Sequence, residues 1–229
     1  YGWYGPAMNT HRNAFAGRNF EYFSEDGVLG GKMAMAEING AAKNGVYGYI
    51  KHFALNDQES NRCSFLLTFA SEQPIREIYL KPFEIATKGF TGTSRAVMSS
   101  FNWIGTEPSC ANTHLLNNVL RDEWGFVGMV ETDYDGSYGY MISDHCVRNG
   151  NDLMLGFAMA SSNQSTDQSA TATLAMRQAC KNILYTIGNS GYYSGAEEAA
   201  GMDNMTKLFT GVDVGIGVVI VAIEAILLG

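Results

Sequence analysis

Apolar residues in this chain fall into short blocks separated by longer stretches in which they recur every three or four positions. Short blocks read as buried strands and the longer stretches as amphipathic helices. Gly45 to Ile50 is one block, ending at Lys51-His52, and Arg95 to Ser100 is another, ending at Phe101-Asn102. Phe126 to Thr132 is the third, and Asp152 to Leu155 a weaker fourth. Between them, Val28 to Ala42 is rich in Ala, Met and Ile and stops at Asn44-Gly45. Ser71 to Lys88 carries helix punctuation: Ser71 at its start, Glu72 in the first turn, Pro74 nearby, and Gly89 just past the end. Asn112 or Thr113 is placed to cap a helix through Leu115, Leu116, Val119 and Leu120, and Ala170 to Ile187 runs to Gly188. This alternation predicts βα units and a parallel sheet or barrel. There is no internal repeat.

The third block is the most informative. Phe126 to Val130 climbs out of Asp122-Glu123-Trp124-Gly125 and reaches Glu131-Thr132-Asp133-Tyr134. In a barrel, apolar residues lock the strand and the polar residues past its carboxyl end face the ligand. Asp133 is the candidate on that ground. Asp135 competes, but it precedes Gly136 and reads as turn chemistry.

Bulk composition narrows the class. The chain has 229 residues, 46% hydrophobic and 17% charged, enough for a real core. Net charge is -8 and the 15 basic residues are scattered, which argues against nucleic acid. Cys63, Cys110, Cys146 and Cys180 lie far apart without C-x-x-C spacing. They read as four buried or half-buried thiols, with no zinc site and no disulfide framework expected. No residues have metal-ligand spacing, so neither metal nor cofactor is expected.

The chain starts at Tyr1-Gly2-Trp3-Tyr4 without Met, which reads as a fragment beginning in mid-domain. Residues 157–169 form a Ser-rich loop, and 191–207 a Gly-, Ser- and Ala-rich linker with a Glu197-Glu198 pair. Residues 208–229 are apolar except for Thr210, Asp213 and Glu224. A span needs ~20 mostly apolar residues, and a central carboxylate costs ~2.5–3.5 kcal/mol. The expectation is a membrane-spanning helix that anchors the protein. A buried core helix and the ragged end of a fragment are the rivals. Lys207 alone does not set an orientation.

The motifs fall in a fixed order. Gly5-Pro6-Ala7-Met8-Asn9 is followed by Gly17-Arg18-Asn19-Phe20-Glu21, then by Lys51-His52-Phe53 with Asn56-Asp57-Gln58-Glu59 and Arg62. Val97-Met98-Ser99-Ser100-Phe101-Asn102, Thr132-Asp133-Tyr134 and Gly150-Asn151-Asp152-Leu153 complete the set. Over about residues 1 to 190 the ordered set resembles the catalytic barrel domain of glycoside hydrolase family 3, the β-glucosidase and β-xylosidase group. The fold implied is a partial TIM-type (β/α)8 barrel holding its later βα units, incomplete at the amino end.

The resemblance implies a function. Asp133 maps onto the family's nucleophile, and Arg18, Lys51 and His52 onto residues that bind sugar hydroxyls. Arg62 is either a sugar contact or an anchor for its loop, and Met98 lines the pocket. Phe101 stands where many members have Tyr, and Tyr134 where Trp is usual. The activity implied is that of a retaining exo-β-glycosidase on terminal β-linked sugars of oligosaccharides, with Asp133 expected to be held ionised by Lys51, Arg18 or nearby donors. The general acid is expected from a partner domain outside this chain. Residues 56–62 hold no His, which disfavours the N-acetylglucosaminidase branch. The rivals are a carbohydrate-binding pseudoenzyme or inactive fragment lacking the acid, and a structural membrane-anchor protein. His11, His114 and His145 read as structural, and Glu21, Glu25 and Asp26 as partners for backbone N–H groups or arginines.

Overall fold

A computed structural model describes residues 2–93, 95–134, 139–156 and 164–192. The elements in chain order are β1 (Gly2–Trp3), α1 (Gly27–Ala42), β2 (Tyr47–Phe53), β3 (Leu67–Thr68), α2 (Glu72–Pro74), α3 (Lys81–Lys88), β4 (Ala96–Ser99), β5 (Trp103–Ile104), β6 (Glu107–Pro108), β7 (Met129–Glu131), α4 (Ser143–Arg148) and α5 (Ala170–Gly188). Strands β1, β2, β4 and β7 form one sheet in that order, all parallel. Leu153 continues the arc through a parallel bridge to Glu131, so the weak fourth block supplies one pairing instead of a strand. A small second sheet, β3-β5-β6, lies in the loops.

Alternation along the strands separates two cores. Ile50, Val97 and Val130 pack outward with Ala34, Ile38, Leu80, Phe83, Ala86, Leu116 and Leu120 of the surrounding helices. Tyr49, Ala96, Met98 and Met129 form a second cluster with Leu153 and Leu155 on the concave side. Each fully buried Val, Ile or Phe contributes roughly 1.5–3 kcal/mol, which locks the strands and fixes where their carboxyl ends fall.

Local chemistry explains the helices. The Asp26 carboxylate accepts from the N–H groups of Val28 and Leu29 at 2.7 and 3.2 Å and starts α1. Gly31 lets α1 approach α3, since a side chain there would meet the backbone of Pro82 at 2.9–3.0 Å. The helix expected over 71–88 is broken. Pro82 has no N–H to return to the preceding turn, and Ile75–Tyr79 is wound as π-helix, with Leu80 N–H donating to Ile75 O at 2.8 Å. Asn112 does cap the next helix, by accepting from Leu115 N–H at 3.0 Å, but His114–Glu123 is π-wound too. Thr186 pins α5 to the sheet: its hydroxyl donates to Arg95 O at 2.7 Å and accepts from Met129 N–H at 2.9 Å.

Cys110 and Cys146 are buried and Cys63 is half-buried, but Cys180 is exposed on α5, against the expectation for it. Among the described residues no helix is long and apolar enough to cross a membrane. The expected linker and span at 191–207 and 208–229 lie outside the described residues, apart from 191–192.

Candidate active site

β7 ends at Glu131, and Thr132 fixes the backbone just beyond it. The Thr132 N–H donates to Leu153 O at 2.9 Å, and its hydroxyl accepts from Leu155 N–H at 2.9 Å. Asp133 is thereby held at the carboxyl edge of the sheet, 7% exposed. Its Oδ1 accepts from the Tyr134 N–H at 2.7 Å. Its Oδ2 has no hydrogen bond and lies 3.7 Å from His52 Nε2.

Lys51 and His52 lie within β2, not beyond its end as the pattern predicted. The strand is longer because residues 5–9 run beside it. Lys51 N–H donates to Pro6 O at 3.1 Å, and Met8 N–H donates to Lys51 O at 2.8 Å. The Asn9 amide then holds His52 on both sides, donating to His52 O at 2.9 Å and accepting from His52 N–H at 2.7 Å. The register between β2 and β4 slips between Ile50 and Phe53, the kind of irregularity that re-aims side chains at a strand end.

The loops supply the rest. Arg18 pairs through Nε with Glu21 and lies 3.8 Å from Glu59. Glu21 also faces Lys51 Nζ at 3.8 Å, and Glu59 takes Arg62 at 2.8 Å. Lys51, Glu21, Arg18, Glu59 and Arg62 therefore form one chain of alternating charge. Arg62 lies 4.3 Å over the Phe101 ring. Met98 is buried in the concave cluster beside Tyr49 and Met129. Phe101 is buried with Cys110, Tyr140 and Met141, while Tyr134 is 37% exposed. His11 takes a structural contact, Nε2 to Tyr22 O at 2.9 Å. Asp135 lies outside the described residues.

Burial and the nearby cations act in opposite directions on Asp133. Burial pushes the Asp133 carboxyl up to about 6, outweighing the Tyr134 N–H and the nearby Arg62, Arg18 and Lys51, which pull it down. The cations moderate the cost of burying the charge without cancelling it. His52 moves the other way. Burial, with Arg18, Lys51 and Arg62 close by, holds its imidazole well below the usual range. The 3.7 Å approach thus joins a carboxyl to a neutral imidazole and is no ion pair. One layer deeper, Glu131 is buried and pushed up to about 7 by desolvation and the Asp133 charge, while a Tyr4 hydrogen bond pulls it down.

Asn9, Thr132, Glu59 and Glu131 had no site role in the sequence reading. Asn9 and Glu59 stand inside the ordered motifs, yet nothing in their spacing says that one clamps a strand and the other bridges two arginines. Among the described residues no cluster of His, Cys, Asp and Glu could hold a metal ion.

The profile described as the glycosyl hydrolase family 3 N terminal domain matches residues 3–167. β-Glucosidase A from Butyrivibrio fibrisolvens is 44% identical over 154 residues, 67% of this chain and 18% of that protein. A β-glucosidase from Ruminococcus albus is 47% identical over 130 residues, 57% of this chain and 13% of that protein. The solved structure of β-glucosidase 3B from Thermotoga neapolitana in complex with glucose matches with a TM-score of 0.72 at 34% identity, covering 90% of this chain and 30% of that one. The chain spans less than a third of the length of each of these relatives. With parallel strands walled by helices and motifs in the family's order, the chain belongs to glycosyl hydrolase family 3 and carries its α/β, TIM-like N-terminal barrel domain.

Proposed function

We propose that the protein containing this chain is a retaining exo-β-glycosidase of β-glucosidase type, with Asp133 as its nucleophile. The observation that carries the reading is the state of Asp133 Oδ2. It is a carboxylate oxygen at a strand's carboxyl end, without a hydrogen bond, beside His52 and within the field of three cations. An oxygen saturated by protein donors would be a poor nucleophile.

In this reading Lys51, Arg18, Arg62 and the neutral His52 grip hydroxyls of one terminal pyranose, with Met98, Phe101 and Tyr134 shaping the walls. Asp133 attacks the anomeric carbon as the glycosidic bond breaks, giving a glycosyl-enzyme that water then hydrolyses. A second carboxyl about 5–5.5 Å away protonates the leaving oxygen and later activates the water. Glu131 lies a layer below Asp133 and is closed off from a leaving group, so that acid comes from a partner domain beyond this barrel. The coverage of less than a third of each relative supports this. We read 1–190 as the barrel, as later βα units of a longer one, 191–207 as a linker, and 208–229 as a membrane tether.

A 2-deoxy-2-fluoro-glucoside tests the assignment on the full-length protein. The expected result is a covalent mass gain on the peptide carrying Asp133, lost in Asp133→Asn, with Asp135→Asn keeping most of the turnover. Sugar binding without labelling would indicate a lectin-like pseudoenzyme and end the proposal.

A further inference from the structure

The alternating chain of charges has two nodes that the proposed chemistry does not use, Glu21 and Glu59. Glu59 is the carboxylate between two guanidiniums. It lies 2.8 Å from Arg62 and 3.8 Å from Arg18, and its side chain is 23% exposed. Its own backbone is fixed, with its N–H donating to Ala16 O at 3.0 Å. That bond ties the loop bearing Glu59 to the loop bearing Arg18. Asn56 also reaches it, at 3.4 Å.

Arg18 and Arg62 leave from separate loops, and each is long enough to adopt many rotamers. Holding such a side chain costs conformational entropy, so two unrestrained arginines would give a poor sugar grip. Phe101 supports Arg62 from one side, and Glu21 holds Arg18 from the other. Among the described residues, only Glu59 makes ion-pair contacts to both.

We propose that Glu59 is a positioning residue: it sets the spacing of Arg18 and Arg62 around the bound sugar and trims the positive field they exert on Asp133. The inference rests on the glycosidase reading for its substrate, but it concerns a residue that never touches the sugar. The groups facing Asp133 are His52, Lys51, Arg18, Arg62 and, from below, Glu131. Those acting around Glu59 are Arg18, Arg62, Asn56 and Tyr22.

The test compares wild type, Glu59→Gln and Glu59→Asp in the full-length protein on an aryl β-glucoside across pH, with folding followed by circular dichroism. Misplacing a substrate-gripping group by about 1 Å can cost about 100-fold. Glu59→Gln should therefore lower kcat/KM by about 10–100-fold. It should also move the acid limb to lower pH, because two guanidiniums freed of their counter-charge favour the Asp133 carboxylate. Glu59→Asp keeps the charge but shortens the reach. It should restore the limb while recovering part of the rate. An unmoved limb in Glu59→Gln, or a rate within twofold of wild type, overturns the proposal. Calorimetric titration with glucose separates this inference from the assignment of the nucleophile. If the wild type binds glucose without turnover, weaker binding by Glu59→Gln still supports the positioning role. Equal affinities, or no binding by either protein, refute it.

Discussion

Two aspartates bury their side chains beside β7, and desolvation pushes both up to about 6. Asp152 is saturated. One oxygen accepts from Arg121 and from Val130 N–H, each at 2.7 Å, and the other accepts from Asn182 at 2.8 Å. Asp133 has a single hydrogen bond, from Tyr134 N–H, and its Oδ2 has none. The same titration shift thus accompanies opposite designs. Asp152 spends its acceptors on holding β7, α5 and the Arg121 helix together. Asp133 keeps one oxygen unspent. The shift alone does not identify a reactive group; the count of donors does.

Exchanging the pair's roles by mutation is the strongest challenge. Asp133→Asn should lower kcat by about 10,000-fold or more, in the range seen when a catalytic carboxylate or nucleophile is removed. Asp152→Asn should leave kcat of the folded fraction within about tenfold of wild type, since its effect on the site is indirect. Steady-state kinetics corrected for the folded fraction by circular dichroism decides this, and comparable losses in both variants would erase the distinction.

Stability should rank them in the reverse order. Asp152→Ala strips Arg121 of a buried partner and should cost about 3–5 kcal/mol in urea unfolding. For Asp133 the sign is opposite. Its folded pKa, about 6, lies above the unfolded value of 3.8. Stability is therefore undiminished below pH ~4, falls as pH rises toward about 6, and stays reduced above it. Asp133→Asn removes that cost and should stabilise by about 1–3 kcal/mol at pH 8 and little at pH 4. A destabilised Asp133→Asn at pH 8 would mean that the cations rely on its charge more than burial opposes it.

The gentlest probe is the pH profile of wild type. If attack requires ionised Asp133, kcat/KM should fall about tenfold per pH unit below about 6. An inflection near or below 4 would instead show that the cations outweigh burial at Asp133.

Sequence shows Lys51, Arg18 and Arg62 but not how deeply the Asp133 carboxylate lies among them. Lys51 and His52 illustrate the same gap. Their strand is legible as an apolar block, yet its extra length comes from pairing with Pro6, Ala7 and Met8, more than 40 positions earlier. The helix over 71–88 is legible from Ser71 and Gly89. Pro82, which breaks it, is equally plain in the sequence, but the end signals outweigh a single interior residue in a local reading. Glu59 is visible within its motif, and its role is not.

The sequence by itself determined the order of βα units, the two-sided apolar pattern of the strands, the position of Asp133 just past β7, and, through its ordered motifs, the family. These are local or near-local properties, set by side-chain periodicity and by residues a few positions apart. The fold alone decided which oxygen of Asp133 stays unpaired, that His52 is neutral, that Asn9 clamps β2, and that Glu59 spans two arginines. Each of these depends on distances between residues far apart in the chain and on the solvent they exclude, and neither quantity is written in a linear order of residues.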